Sequence, residues 1–339
     1  MYLGLFPHGK GPCGKGMGIK MYHGIVNVYK EAGYTSHDVV ARLRGIFKQK
    51  KIGHTGTLDP DAVGVLPVCL GNGTRLCDML TDRHKEYIAR MRLGIVTDTQ
   101  DISGKILEER EVCAQPDRVR EAILSFQGDF MQIPPMYSAL KVGGRKLYEL
   151  ARAGKEVERP PRPVTFYTIE ILEEEHPEYV FRVECSKGTY IRTLCHDIGQ
   201  KLGDGAAMVS LERTRVGEFG AEEAYRIKEL EELAEKEALS QAVVPVEKMF
   251  EELPGLTVKE AAFKLLKNGN QLRKEDFTKD PWEEMPKGPV KGRSGEGNSD
   301  AEEGENQYRI HSPSGVFCGI YQYVKERGMF APVKMFLGE

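Results

Sequence analysis

The sequence predicts an α+β protein with a small β-rich module at its C-terminal end, on three observations. Period-two alternation recurs in segments of strand length, at Lys85–Gly94, Val164–Glu173 and Tyr179–Cys185. Between such segments apolar residues repeat at helical spacing, at Val39, Leu43, Ile46 and Phe47 and again at Val119, Ile123 and Phe126. From Leu253 onward the character changes to short β segments around one short helix.

Taken in order, residues 1–20 hold six glycines and few side chains able to pack, which predicts a flexible extension. Gly9 to Lys15 fits the start of a phosphate loop, G-x-x-x-x-G-K. The next residue is Gly16, so the hydroxyl that would hold magnesium is missing, and no strand precedes the segment. Tyr22–Lys30 reads as the first strand. Ser36 is a plausible N-cap with Asp38 in the first turn, opening an amphipathic helix. The outer face of that helix and its exit are basic: Arg42, Arg44, Lys48, Lys50 and Lys51. They form either a solvated surface or a phosphate-contacting patch.

Gly53–Pro67 carries three glycines, two prolines, one histidine and two acids, which interrupt both helical and strand periods. It predicts a structured loop feeding an apolar strand, Val63–Leu70. Such loops on a rigid scaffold are frequent carriers of function, and Asp59 is the candidate within it. A turn at Gly71–Arg75 precedes the Lys85–Gly94 strand. A polar loop at Thr97–Gly104, a strand at Lys105–Glu109 and a helix at Pro116–Phe126 follow.

Residues 136–163 carry Lys141, Arg145, Lys146, Arg152, Lys155, Arg159 and Arg162 against Glu149, Glu156 and Glu158, with Tyr137 and Tyr148 interleaved. Basic and aromatic residues together suit RNA, through phosphate contacts and stacking. A solvated hairpin and helix fits the charge equally well. Val164–Glu173 and Tyr179–Cys185 predict a hairpin, and Ser186–Leu194 a strand end turning into a helix that Gly203-Asp204-Gly205 ends. Met208–Leu211 and Val216–Phe219 read as two further strands, and 221–240 as a charged helical stretch. Beyond it come a short helix at Val258–Leu266 and strands at Tyr308–Ile310, Gly315–Tyr321 and Val333–Leu337. Residues 279–306 are nearly free of branched aliphatics and predict a disordered insertion.

The formal net charge of −3 argues against nucleic-acid binding by bulk charge, so any such binding rests on local patches. The seven cysteines are odd in number and lack C-x-x-C spacing, the usage of a reducing compartment. No apolar run is long enough to span a bilayer and no secretory signal is visible, so a cytoplasmic protein without a membrane partner is expected.

Three chemistries fit the Gly53–Pro67 loop. Asp59 could serve as a nucleophile or base if it is ionised and partly desolvated, with a nearby cation keeping its pKa low. Arg192 is a candidate for that cation. The commoner role of an Asp before Pro is to cap a turn. Metal binding by His54, Asp59, Asp61, Cys195 and His196 lacks ligand spacing. An Asp-x-Asp phosphotransfer site at Asp59 and Asp61 lacks the apolar parallel strand that usually precedes one.

Gly53-His-Thr-Gly-Thr-Leu-Asp-Pro60, with Ala62-Val-Gly-Val-Leu-Pro67, resembles the catalytic motif of the TruB family, bacterial tRNA pseudouridine synthases that modify uridine 55 in the T loop. The resemblance spans residues 21 to about 250. It is carried in order also by Lys85-Glu-Tyr87, Thr97-Asp-Thr99, Ile133-Pro-Pro-Met-Tyr-Ser-Ala-Leu-Lys141 and Ser186-Lys-Gly-Thr-Tyr-Ile-Arg192. The segment from 251 to 339 is weakly similar to the family's PUA-like RNA-binding domain. Residues 1–20 and the 279–306 insertion depart from the family pattern.

The resemblance implies the pseudouridine-synthase fold, a mixed, largely antiparallel sheet flanked by helices and loops, with the site in a central cleft. It implies isomerisation of uridine to pseudouridine on the T arm of tRNA, without cofactor or metal, by a monomer. On it, Asp59 is the nucleophile, Tyr87 packs against the target base and assists proton removal at C5, and Arg192 pairs with Asp59. His54 holds flipped nucleotides, Tyr190 and Leu211 line the pocket, and Lys30 and Lys141 belong to the substrate-binding set. The rival reading is a catalytically silent tRNA-binding or RNA-folding protein.

Overall fold

The computed structural model describes residues 21–281 and 307–337. The expected flexible extension at 1–20, and the expected disordered insertion from residue 282 to 306, lie outside the described residues.

The first half of the chain runs β1 (Gly24–Lys30), α1 (Ser36–Ile46), β2 (Ile52–His54), β3 (Val63–Leu70), α2 (Cys77–Thr81) and β4 (Lys85–Leu93). Then come β5 (Ile95–Thr97), β6 (Ile106–Glu109), α3 (Pro116–Leu124), β7 (Gly128–Gln132), β8 (Lys141–Val142), β9 (Arg145–Lys146) and α4 (Leu147–Arg152). β10 (Arg162–Glu175), β11 (Glu178–Cys185), α5 (Ile191–Leu202), β12 (Ala206–Val216), β13 (Phe219–Gly220) and α6 (Ile227–Glu235) follow. The C-terminal part holds β14 (Gly255–Thr257), α7 (Phe263–Lys267), β15 (Gln307–His311), β16 (Phe317–Val324) and β17 (Met329–Met335).

The main sheet has nine strands. Its path is β1-β3-β12-β4-β11-β10-β7, with β2 on β3 and β13 on β12. Every pair is antiparallel except β12 with β3, which run parallel through Glu212 opposite Val63 and Arg213 opposite Gly64. The expected mixed, largely antiparallel sheet is therefore present.

β3 reads as an unbroken apolar run because both of its faces are buried. Leu66, Val68 and Leu70 pack with Val26 and Val28 of β1, Val39 and Leu43 of α1, and Ile227 and Leu230 of α6. Val65 and Cys69 face the other way, toward Ile25, Val216, Phe250, Ile320 and Phe336. Gly64 and Pro67 lie inside this strand although both usually break one. Pro67 needs no donor there, and its carbonyl instead accepts from the Thr55 N–H and hydroxyl at 3.2 and 3.1 Å. Farther along the sheet, α3 and α5 cover β4, β10 and β11 in a separate core containing Ala89, Phe166, Phe181, Ile123 and Ile198. α5 ends where Gly203 adopts a left-handed φ of 87°.

The C-terminal sheet, β14-β15-β16-β17, docks on the main body. Phe336 lies 5.7 Å from Phe250 between ring centroids, and the Asn72 amide donates to the Phe336 carbonyl at 2.9 Å.

Four sequence expectations change. The N-cap of α1 is Thr35, not Ser36: the Thr35 hydroxyl accepts from the Asp38 N–H and Asp38 caps back. The two strands expected at 208–211 and 216–219 are one long β12, with register shifts between Met208 and Ser210 and between Arg213 and Arg215, followed by the short β13. Within 221–240 only Ile227–Glu235 is α-helical, and the ends are single 3₁₀ turns. The helix expected at 258–266 begins as a 3₁₀ turn at Glu260–Ala262, with α7 starting at Phe263. Among the described residues no helix is long and apolar enough to cross a membrane.

Candidate active site

The loop between β2 and β3 presents Asp59, and its backbone is held at almost every step. The Leu58 N–H donates to the buried Ser36 hydroxyl at 3.0 Å, which is the role Ser36 takes in place of capping α1. The Pro60 carbonyl accepts from the Gly33 N–H at 3.0 Å and from Lys30 Nζ at 2.9 Å. The Thr55 carbonyl accepts from the Thr81 hydroxyl at 3.1 Å. The Ala62 N–H returns to the Asp59 carbonyl at 3.2 Å. A carboxylate on such a loop has little freedom to wander.

Lys30 corrects an expectation. It is fully buried, and its ammonium donates to the carbonyls of Glu31, Tyr34 and Pro60. Every proton of that ammonium has an internal acceptor, so Lys30 anchors the loop rather than reaching substrate. Burial pushes its pKa down to about 8, against the pull of Asp61 and Asp59. Lys141, by contrast, is exposed on the β8–β9 hairpin, with Arg145 exposed beside it.

Arg192 comes from the first turn of α5. Its Nε lies 3.1 Å from Asp59 Oδ2, and its side chain is only 7% exposed. The rest of the guanidinium is committed: Nη1 donates to the Thr99 carbonyl at 3.2 Å and lies 3.5 Å from Asp101 Oδ2, while Nη2 donates to the Tyr137 carbonyl at 2.9 Å. Asp101 is fixed in turn by the hydroxyls of Thr99 and Ser103 and by the Ser103 N–H.

This network bears on the acidity of Asp59. Burial raises its pKa, Arg192 lowers it, and Asp101 raises it again, with a net upward shift. The expectation that a nearby cation keeps the pKa low is thus reversed. Desolvation is the larger effect, and the paired cation, Arg192, is shared with a second carboxylate.

Tyr87 on β4 is 8% exposed and sits in the same core cluster as Leu58, Ala62 and Leu211. Leu211 on β12 stands opposite Ala89, and Arg213 stands opposite Tyr87. Tyr190, half-buried, is the residue before α5. Its backbone N–H and carbonyl are both bonded by the Gln132 amide, at 2.8 and 3.0 Å. Burial pushes its phenol up, while the Arg192 charge opposes that. His54 ends β2, edge-on to His37 with ring centroids 5.3 Å apart. Its Nδ1 accepts from the Gly56 N–H at 3.3 Å, and burial followed by the His37 charge pushes its pKa down, which favours the neutral ring.

The structure thus joins Asp59 to Arg192 directly, and gathers Leu58, Tyr87 and Leu211 into one cluster beside them. Tyr190 feels the charges of both members of the Asp59–Arg192 pair. Lys141 stands apart on its hairpin. Two participants had escaped sequence reasoning: Asp101, two residues beyond the Thr97–Thr99 motif, and Arg213, two residues beyond Leu211. The described residues bring no three His, Cys, Asp or Glu side chains together to hold a metal ion.

A mixed sheet that offers one aspartate from an inter-strand loop to a buried arginine, with a buried tyrosine on a strand of the same sheet, is the arrangement of a pseudouridylate synthase. The family model described as "TruB family pseudouridylate synthase (N terminal domain)" matches residues 44–191, and "tRNA pseudouridylate synthase B C-terminal domain" matches residues 192–251. A protein of Lachnoclostridium phytofermentans named "tRNA pseudouridine synthase B" is 52% identical over 93% of this chain and 100% of its own length. One of the same name from Alkaliphilus oremlandii is 50% identical over 74% of this chain and 83% of its own. Among solved structures, a chain of "Crystal Structure of a Cbf5-Nop10-Gar1 Complex" superposes with a TM-score of 0.64 at 28% identity, covering 93% of this chain and 85% of that one. A chain of "Structure of H/ACA RNP bound to a substrate RNA containing 2'-deoxyuridine" gives 0.62 at 26%, covering 93% and 86%. The chain belongs to the TruB family of pseudouridylate synthases.

Proposed function

We propose that this protein isomerises uridine to pseudouridine at position 55 in the T loop of tRNA, with Asp59 as the nucleophile. The observation that carries the reading is the 3.1 Å pairing of Asp59 with a buried Arg192, on a loop whose backbone is tied down on both sides. The N1–C1′ glycosidic bond is exchanged for a C5–C1′ bond, so the base must first leave its stack. Tyr87 packs against the extruded base and takes the C5 proton. Tyr190 and Leu211 line the pocket, and His54 holds neighbouring flipped nucleotides. Family membership supports the chemistry, and the relatives' shared name supports tRNA as substrate.

The exposed Lys141 and Arg145 on the β8–β9 hairpin suit the phosphates of the T arm. The protein acts as a monomer in the cytoplasm, with residues 21–250 catalytic and 251–339 a PUA-like RNA-binding domain.

The test is incubation of purified protein with an unmodified tRNA transcript, followed by mapping of pseudouridine. Product at the T-loop uridine with wild type, and none with Asp59→Asn, is expected. Tight binding of the transcript by wild type without any product would favour the silent RNA-binding reading instead.

A further inference from the structure

Arg213 is the largest of the fully buried side chains, 2% exposed, and no ordinary structural duty uses up its donors. Its Nε donates to the Val65 carbonyl at 2.7 Å. Its Nη2 is buried with no hydrogen-bond partner among the described residues. Unpaired guanidinium nitrogens are rare in protein interiors, because each forfeits its hydration.

The position of Arg213 is set by backbone on two sides. Across the antiparallel pair it stands directly opposite Tyr87, and across the parallel pair opposite Gly64. Gly64, at φ 105°, lets the two backbones approach so closely that a Cβ there would meet the Arg213 carbonyl oxygen at 2.2 Å. Gly56, in the Asp59 loop, lies over the other end of the side chain, where a Cβ would sit 3.7 Å from Nη1. The guanidinium is therefore clamped between β3, the Asp59 loop and Tyr87.

Resting on the reading above, in which Tyr87 removes the C5 proton, we propose that Arg213 is the positioning residue that turns Tyr87 into a base. Its unpartnered Nη2 offers donors to the Tyr87 oxygen as the phenol ionises, and so stabilises the phenolate. The balance is simple. After C1′ has bonded to C5, the C5–H proton passes to the phenolate oxygen. The C–H electron pair becomes the C5=C6 double bond, and the former N1=C6 pair returns to N1, which takes up a proton. Nothing is oxidised or reduced. Burial drives the Tyr87 phenol upward, and the positive charge of Arg213 opposes that shift. A base of this kind gains more from a larger ionised fraction than it loses in basicity.

The experiment compares wild type, Arg213→Gln and Arg213→Lys in single turnover across pH. It uses tRNA transcripts carrying protium or deuterium at C5 of the target uridine, and a transcript with 5-fluorouridine there. Gln removes the charge; Lys keeps it. Arg213→Gln is expected to slow the uridine reaction by about 10²-fold, to enlarge the deuterium isotope effect, and to move the rise of rate with pH to more alkaline values. Conversion of 5-fluorouridine, which has no C5 proton to lose, should stay within about 3-fold, as should transcript affinity, since Nη contacts to Tyr87 act on proton removal alone. Arg213→Lys should recover most of the rate.

Equal slowing of uridine and 5-fluorouridine, or an unchanged isotope effect and pH profile in Arg213→Gln, overturns the assignment. If Arg213→Gln does not fold, Arg213→Lys with a wild-type isotope effect and pH profile at reduced rate on both substrates overturns it as well. Absence of product with wild type instead defeats the synthase reading itself.

Discussion

Arg192 gives one nitrogen to Asp59 at 3.1 Å and another to the neighbourhood of Asp101 at 3.5 Å, so two carboxylates depend on one buried cation. The remaining donors tie that cation to the carbonyls of Thr99 and Tyr137, which brings the polar loop and the basic hairpin segment to the same point. The pair is thus the junction of three chain segments as well as a charge contact.

Arg192→Met should therefore be costly in two ways. It leaves two partly buried carbonyls without that donor and two carboxylates without their shared cation, for a loss of about 3 kcal/mol in denaturant unfolding. Asp59 then loses its cation and moves further upward, so turnover at neutral pH should fall by about 10²-fold and recover partly as pH rises. A pH–rate profile with no alkaline recovery would remove the electrostatic explanation.

The upward shift of Asp59 has a definite sign for stability. A folded-state pKa above the unfolded one means that stability contributed by the protonated group is fully present below the unfolded pKa. It is lost as pH rises through the folded pKa. Ionised Asp59 therefore opposes folding at pH above its folded-state pKa. Its half-exposed side chain keeps the effect small. Asp59→Asn should leave the melting temperature at pH 7 unchanged or slightly higher while abolishing product, with the wild-type acid limb of activity above the ordinary aspartate range. A clear fall in melting temperature would show that desolvation is not the larger effect.

Much of this site was legible in the chain. Gly, Pro and acid residues at 53–67 mark a constrained loop by composition, and the ordered motifs name Tyr87 and Arg192. What escaped depended on long-range packing. Thr35 and Ser36 are equally good caps on paper, and only the fold shows that Ser36 turns to meet Leu58. Arg213 falls between the strands expected at 208–211 and 216–219, and nothing local reveals that it lies in one long strand against which Gly64 packs. The burial of Lys30 is not legible locally, because its acceptors come from the following turn and from Pro60 beyond α1.

Lys30 and Lys141 offer a direct contrast. Lys30→Met should lower stability by about 2–4 kcal/mol, since carbonyls at Glu31, Tyr34 and Pro60 lose a shared donor. It should leave the salt dependence of tRNA binding as it was. Lys141→Ala should do the reverse: unchanged melting, and a slope of log K against log salt reduced by about 1. Titrations of transcript binding over a range of salt, with thermal melts of the same samples, separate the two. A reduced slope in Lys30→Met would restore it as a phosphate contact.

Gly64→Ala tests the backbone arrangement on which both Asp59 and Arg213 rely. The added methyl would meet the Arg213 carbonyl oxygen at 2.2 Å and its nitrogen at 2.8 Å, and the φ of 105° is strained for any side chain. Backbone atoms cannot swing aside as a side-chain tip can, so β3 and β12 must separate. Destabilisation of about 2–4 kcal/mol is expected, with turnover lost beyond what stability explains, because the strand carrying Arg213 shifts relative to the Asp59 loop. Gly188 is a useful control. It also has positive φ, at 77°, but a Cβ there meets nothing within 4 Å. Gly188→Ala should therefore show only the smaller cost of backbone strain, about 1 kcal/mol. Comparable losses in the two variants, measured by urea unfolding, would mean that close approach of β3 to Arg213 contributes nothing beyond φ.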